Sequence, residues 1–244
     1  MQKYLLQAAC FITIVLLASS CGTNTLKGEG KKTEVTPAVA TFNAISIEVS
    51  LQSVIDVREG AQPAVQLSGY ENVLAHIKTK VENNTLRIYT DLDDSWTMDS
   101  EDINARITVP SLTALTLQGA PGADINGAIT GSDFKLDISG AAHVNIDNIV
   151  VDNFHSTVSG AADITVKAGT VKKAEYEISG AGKIKAYPLQ AAELTASISG
   201  AGTSEVTASQ KLTASISGAG SIRYKGHPVI SKEVSGVGSI DDAN

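Results

Sequence analysis

The sequence predicts an all-β chain wound as a stack of coils, a β-solenoid, and three observations carry that prediction. The first is an internal repeat. Ser139-Gly140-Ala141-Ala142 recurs with its serine at Ser159, Ser179, Ser199, Ser217 and Ser235, at spacings of 20, 20, 20, 18 and 18 residues, and most later copies read SGAG. The second is a fixed apolar register around that serine. The residue before it is β-branched in every copy (Ile138, Val158, Ile178, Ile198, Ile216, Val234), and the positions five before and five after it are mainly apolar, from Phe134 and Phe154 to Ile222 and Ile240. The third is polarity at the alternate positions, Asp137, Thr157, Glu177, Ser197, Ser215 and Glu233, the period of two that belongs to strands buried on one face. A unit of 18–20 residues is too short for a four-stranded propeller blade and suits one coil, with equivalent residues stacked about 4.8 Å apart. Glycine in the repeat then marks a corner, where positive φ and close approach of neighbouring coils exclude a side chain.

Taken in order, the chain opens with MQKYLLQAACFITIVLLASSC, in which Lys3 precedes a mainly apolar run from Leu5 to Ala18 and small residues end at Cys21. The run is shorter than the roughly 20 apolar residues of a permanent span and is an export signal over residues 1–20. Leu17-Ala18-Ser19-Ser20-Cys21 resembles the lipobox of bacterial lipoproteins, which implies cleavage before Cys21 and lipidation of its thiol. Gly22, where some bacteria place an aspartate that retains lipoproteins in the inner membrane, favours the outer membrane. Residues 21–40, polar and rich in Gly, Lys and Thr, are expected to be a flexible tether.

The folded body is expected over residues 41–244. Its first part, 41–110, alternates like strands in Ile45–Val49, Ile77–Val81, Leu86–Ile88 and Ile103–Val109, with Glu82-Asn83-Asn84-Thr85 as a turn, but lacks the repeat. These strands begin the stack or close its N-terminal end, since an open end exposes pairing groups. Residues 111–240 carry the regular coils, with Gln118-Gly119-Ala120-Pro121-Gly122 as a degenerate first copy and Val237 in place of alanine in the last.

Phe42-Asn43-Ala44-Ile45-Ser46, Val54-Ile55-Asp56-Val57 with Gly60, Tyr70-Glu71-Asn72-Val73-Leu74, Asn84-Thr85-Leu86-Arg87-Ile88 and the SGAG series together resemble the putative auto-transporter adhesin, head GIN domain family, over roughly residues 41–240. The resemblance implies a single-stranded right-handed parallel β-helix on an exported lipoprotein of a Gram-negative bacterium, and carries the fold more than the function. The sequence carries no C-terminal membrane barrel pattern, so the resemblance does not extend to a complete auto-transporter.

Composition narrows the chemistry. With 19 Lys+Arg against 26 Asp+Glu and a formal charge of −7, no basic excess exists to neutralise a phosphate backbone, which excludes nucleic acid as a partner. Two cysteines, Cys10 and Cys21, build neither a disulfide framework nor a Cys-rich metal site. The acidic stretch 91–102 holds Asp91, Asp93, Asp94, Asp99, Glu101 and Asp102, oxygen donors of the kind calcium takes, but in no EF-hand spacing. A solvated acidic loop is the simpler reading, and no cofactor is expected. Trp96, Tyr176 and Tyr187 are candidates for a binding surface.

Two ladders test an enzyme. Asp137 and Glu177 stand two coils apart, about 10 Å, at the edge of the separation for an inverting glycosidase. His143, Asp163 and Lys183 follow one another in the column four after the serine, as an electrostatic ladder or an acid–base group. The reading that results is a lipid-anchored, non-enzymatic envelope protein displaying a β-helix surface for adhesion or for a glycan or protein partner. A polysaccharide-active β-helix enzyme and a structural or assembly component of the envelope are the alternatives, and the sequence does not fix the oligomeric state.

Overall fold

A computed structural model describes residues 24–93, 95–99 and 102–244. The signal segment 1–20, Cys21, Asp94 and Glu101 lie outside the described residues. Nearly all of the body is strand, with one four-residue helix, Glu71–Leu74. From residue 114 on, every coil pairs in parallel with the next. The expected columns form as the spacing requires. Leu117, Ile138, Val158, Ile178, Ile198, Ile216 and Val234 lie in one register, and Ser139, Ser159, Ser179, Ser199, Ser217 and Ser235 in the next but outward.

Each coil turns where the alternation breaks. In the coil of residues 143–160 the inward residues are Val144 and Ile146, then Ile149 and Val151, then Phe154, Ser156 and Val158. The two gaps of three residues and the SGAA corner divide the coil into three sides around one core. At the corner, Gly180 has φ +139°, and a Cβ there would sit 2.3 Å from the Gly160 carbonyl oxygen one coil earlier, so glycine is required twice over. The change of period from 20 to 18 residues leaves the corner in register. It is absorbed on one side, by shifts between Lys185 and Gln190 and between Ala191 and Glu193, where Thr207 Oγ1 donates to the Tyr187 carbonyl at 2.7 Å.

The core interior is filled by size compensation rather than by identical residues. Phe134 stacks on Phe154 with ring centroids 5.5 Å apart. The next residue in that column is Ala174, and Tyr176, one inward position along, fills the space edge-on to Phe154 at 5.6 Å. Ser156 and Ala196 flank Tyr176 in its own column and leave room for the ring. Tyr176 is therefore 1% exposed, and the expectation that it marks a surface patch is corrected. An aromatic ring next to small neighbours at an inward position packs as core, and burial pushes its phenol up.

The irregular residues 41–110 both begin the stack and close it. Ala44–Ile47 and Gln52–Val57 form the first coil, in parallel register with Ala114–Leu117 and Gly122–Asn126. Beneath them lie Thr85–Ile88 and Asn104–Val109. These are covered in turn by antiparallel partners, Ile77–Glu82 and Ala64–Ser68. The Ile77–Glu82 hairpin turns through Asn83 and Asn84 at φ +48° and +63°, the left-handed pair that a two-residue hairpin needs.

The expectation of a flexible tether through residue 40 is corrected over its described part. Asn24–Leu26 pairs in parallel with Trp96–Met98, and Lys32–Val35 pairs antiparallel with Leu67–Tyr70. Leu26 and Val39 pack against the core. A polar composition permits this because an edge strand needs few apolar side chains, and pairing covers an otherwise open edge of Ala64–Tyr70.

Candidate functional site

Strand alternation sends every second side chain of the coils outward, and the inter-coil ladder fixes those side chains in rows about 4.8 Å apart. On the side that ends at the SGAG corner the rows are mainly hydroxyl. Residues 195–200 and 213–218 are the same hexapeptide, TASISG, in adjacent coils. The result is a shallow groove of about 600 Å³ across the coils. Thr157, Ser159, Ser179, Ser197, Ser199, Ser215, Ser217 and Ser235 line it, and the carboxylates of Glu177 and Glu233 stand at its edges. Ser215 Oγ donates to Ser197 Oγ at 3.0 Å, in the row two residues before the repeat serine. Among the described residues nothing hydrogen-bonds or ion-pairs with the carboxylates of Glu177 or Glu233.

Thr157 joins this groove to a second depression of about 360 Å³ lined by Asn153, His155, Lys173, Glu175, Glu193 and Thr195. His155 sits between two partners, its Nε2 2.9 Å from Thr157 Oγ1 and its Nδ1 3.1 Å from Glu175 Oε2. A hydroxyl, an imidazole and a carboxylate thus stand in line. The backbone N–H groups around them are engaged in the parallel ladder, which leaves no main-chain donors to hold an oxyanion. The row orients three side chains, and any charge developing beside it would have to be met by side chains of the same depression, such as Lys173 and Asn153.

The remaining candidates are dispersed. Asp137 and Glu177 do align two coils apart with Thr157 between them, but Lys135 engages the Asp137 carboxylate at 2.8 Å. His143, Asp163 and Lys183 share one column as expected, yet the ion pair of Asp163 is with Lys185, at 3.2 Å, and His143 Nε2 lies 3.3 Å from Asn145 Nδ2.

In the acidic stretch Asp91, Asp93 and Asp102 each have partners of their own. Asp91 takes His76 at 2.8 Å and Lys78 at 3.1 Å, hydrogen bonds that hold its carboxyl below the usual range. Asp93 accepts from the backbone and hydroxyl of Ser95, with the same effect, and Asp102 pairs with Lys32 at 2.7 Å. The Asp99 backbone N–H donates to the Leu26 carbonyl at 2.9 Å. Among the described residues no three His, Cys, Asp or Glu side chains converge as metal ligands. Trp96 is 41% exposed in the strand that pairs with Asn24–Leu26. Tyr187 is half-buried on the coils, its ring covered by Lys225 at 4.8 Å. The three aromatics therefore belong to three settings rather than to one platform.

Two features near the N-terminal end escaped the sequence. Asp56 is 6% exposed and accepts from Asn126 at 3.0 Å, with Arg106 at 3.3 Å and Arg58 at 3.5 Å. Arg87 makes a two-pronged pair with Glu48, at 2.8 and 2.7 Å. Apart from Arg58, which neighbours Asp56 in the chain, the partners are 39–70 positions apart, and only the fold brings them together.

Comparison with known proteins agrees with this architecture. The family model described as putative auto-transporter adhesin, head GIN domain, matches residues 41–228. A putative adhesin from Bacteroides fragilis, 25% identical, superposes with a TM-score of 0.76 over 89% of this chain and 100% of its own. A putative adhesin from Parabacteroides distasonis, 21% identical, does so at 0.73 over 90% and 100%. A putative lipid binding protein from the same species, 24% identical, does so at 0.67 over 91% and 100%. No curated protein matches the chain significantly.

Proposed function

The chain belongs to the putative auto-transporter adhesin, head GIN domain family, and from that premise we propose that it is a non-enzymatic, lipid-anchored envelope protein whose coils present a recognition surface to a glycan or an envelope protein. The observation that supports this reading is the groove on the SGAG side, where rows of serine hydroxyls are held at a fixed pitch by the ladder and the carboxylates of Glu177 and Glu233 stand without partners among the described residues. A solenoid offers such a surface at little ordering cost, because its side chains are already set by the stack. Cys21 is the lipid site in this reading, with the outer membrane as destination. A screen of the chain against immobilised glycans and envelope components should return a ligand whose binding weakens when Ser197 and Ser215 are both replaced by bulky residues. A ligand insensitive to that change would place recognition elsewhere. Fatty-acid labelling should follow Cys21 and not Cys10, and label that persists in Cys21→Ser would remove the anchor.

A polysaccharide-active enzyme is the second reading, favoured by the Thr157–His155–Glu175 row alone. Turnover of a polysaccharide that disappears in His155→Gln would establish it over the first.

A further inference from the structure

The chain enters the body close behind Cys21 and is held from its first described residues. The Asn24 N–H donates to the Ser95 carbonyl at 3.0 Å, and Asn24–Leu26 runs in parallel register with Trp96–Met98, with Asn24 opposite Trp96. The Asp99 N–H donates to the Leu26 carbonyl at 2.9 Å. Next, the Asn72 side chain donates to the Lys27 carbonyl at 2.8 Å and accepts from the Glu29 N–H at 3.1 Å. Lys32–Val35 then pairs with Leu67–Tyr70, two strands further from the coils than Asn104–Val109.

These contacts set a distance. Asn24 follows Cys21 by three residues, a stretch that reaches roughly 11 Å at full extension. The ladder puts the Trp96 backbone about 4.8 Å from that of Asn24. A lipidated Cys21 lies at the bilayer surface, so the Trp96 backbone cannot stand further than roughly 16 Å from that surface. Trp96 is the one tryptophan of the sequence and is 41% exposed. An indole, with its apolar body and polar N–H, settles at a membrane–water interface. The Asp93 carboxylate close by, which accepts from the Ser95 N–H at 2.9 Å, keeps a charge at this end and stops the ring among the headgroups, short of the hydrocarbon.

We propose that Trp96 is a membrane contact: its ring seats in the phospholipid headgroup layer, the cap end of the body rests on that layer, and the coils rise from it. The proposal rests on the reading of Cys21 as the lipid site. The occupant follows from the reach, because an anchor this close brings lipid to the Trp96 side of the body and leaves little room there for another partner. A slack stretch from 21 to 40 would let the body turn at any angle to the membrane. The pairing of Asn24–Leu26 and Lys32–Val35 removes that freedom and selects one face.

The test uses the full chain, exported and purified in its lipidated form, in vesicles of phosphatidylcholine with or without bromine near the headgroup end of one acyl chain. Flotation with the vesicles and the mass of the Cys21 adduct read the anchor, and the emission of the single tryptophan reads the seat. Trp96 should lose a large part of its emission in the brominated vesicles relative to the unbrominated ones. Trp96→Phe combined with Val237→Trp moves the reporter to an 87% exposed position on the last coil, seven coils beyond the first and roughly 34 Å along the stack, and should lose nothing. Protein that carries the lipid and floats, yet keeps its Trp96 emission in the brominated vesicles, would overturn the proposal and leave the anchor standing. Equal loss from both reporters would overturn it too, since the body would then lie along the membrane. A chain without lipid on Cys21 that does not float would remove the anchor and the proposal with it.

Discussion

The coils and the N-terminal cap bury their apolar side chains equally well, but by different devices. In the coils a buried residue meets its own counterpart from the repeat before and the repeat after, as Ile178 meets Val158 and Ile198. Each contact lies about one repeat away, 17–21 residues along the chain, and a side chain belongs to two interfaces at once. In the cap the neighbours come from unlike sequences, such as Val65 beside Ile107 or Ile45 beside Leu86, and polar side chains complete the joins. The difference predicts where each region is fragile: the coils at column and corner, the cap at its specific polar pairs.

The largest effects belong to the column and corner. Ile178→Asp places an unpaired charge between two apolar neighbours, a change that costs on the order of 4 kcal/mol. Gly180→Val meets both the positive φ and the Gly160 carbonyl at 2.3 Å and should cost at least about 3 kcal/mol. Urea unfolding of each variant measures both. Effects below about 1 kcal/mol for either would mean that the coils are not held by their columns.

Next comes Asp56→Ala in the cap. The carboxylate is buried, and its loss leaves the Asn126 amide and the Arg106 and Arg58 guanidiniums without their acceptor. Because the two arginines are largely exposed and regain water, about 2 kcal/mol is expected rather than the full penalty of a stranded buried charge. Asn126→Ala, which removes one donor and leaves both cations paired, should cost less. If the order is reversed, the carboxylate is not the organising group of the cap.

A smaller effect, visible through pH, tests the Glu48–Arg87 join. Arg87 holds the Glu48 carboxyl below its usual range. A carboxyl whose folded-state pKa is lowered contributes stability that is present above its unfolded value, near 4.3, and is lost as pH falls through the folded value. The parent should therefore lose about 1 kcal/mol relative to Glu48→Gln on going from neutral pH to below that window. Parallel stability curves for the two proteins would show that the pair contributes nothing.

The same contrast sets how much was legible from the sequence. The coils announce themselves, because one apolar register is written six times and Gly180 and its equivalents fall at a constant offset. The cap announces only its alternation and its Asn83-Asn84 turn. Antiparallel partners such as Lys32 with Tyr70 have no repeat to betray them, so residues 24–35 pass for a tether until Lys32–Val35 is seen to complete an edge. Tyr176 misleads for a related reason. Its inward parity was readable, but that Ala174, Ser156 and Ala196 leave room for a ring depends on three neighbouring positions from three coils. Of the site, the serine and acidic rows were readable as columns. Their partners were not, since Lys185 reaches Asp163 from two positions beyond the column.

The smallest expected effect on stability is the most useful for function. Glu177 stands one residue from Ile178 and points the opposite way, into the groove, with no partner among the described residues. Its neighbours across the coils are Thr157 and Ser197, neither of which carries charge, so Glu177→Lys breaks no pair and faces no like charge. The unfolding midpoint should move by no more than about half a kcal/mol. A ligand that lies in the groove would nonetheless meet a reversed charge at its edge, and its affinity should change in the direction set by the ligand's own charge. Ile178→Asp and Glu177→Lys thus separate, on adjacent residues, what holds the coil together from what the coil presents. A large loss of stability in Glu177→Lys would mean that this outward row is structural and that the groove owes its shape to packing alone.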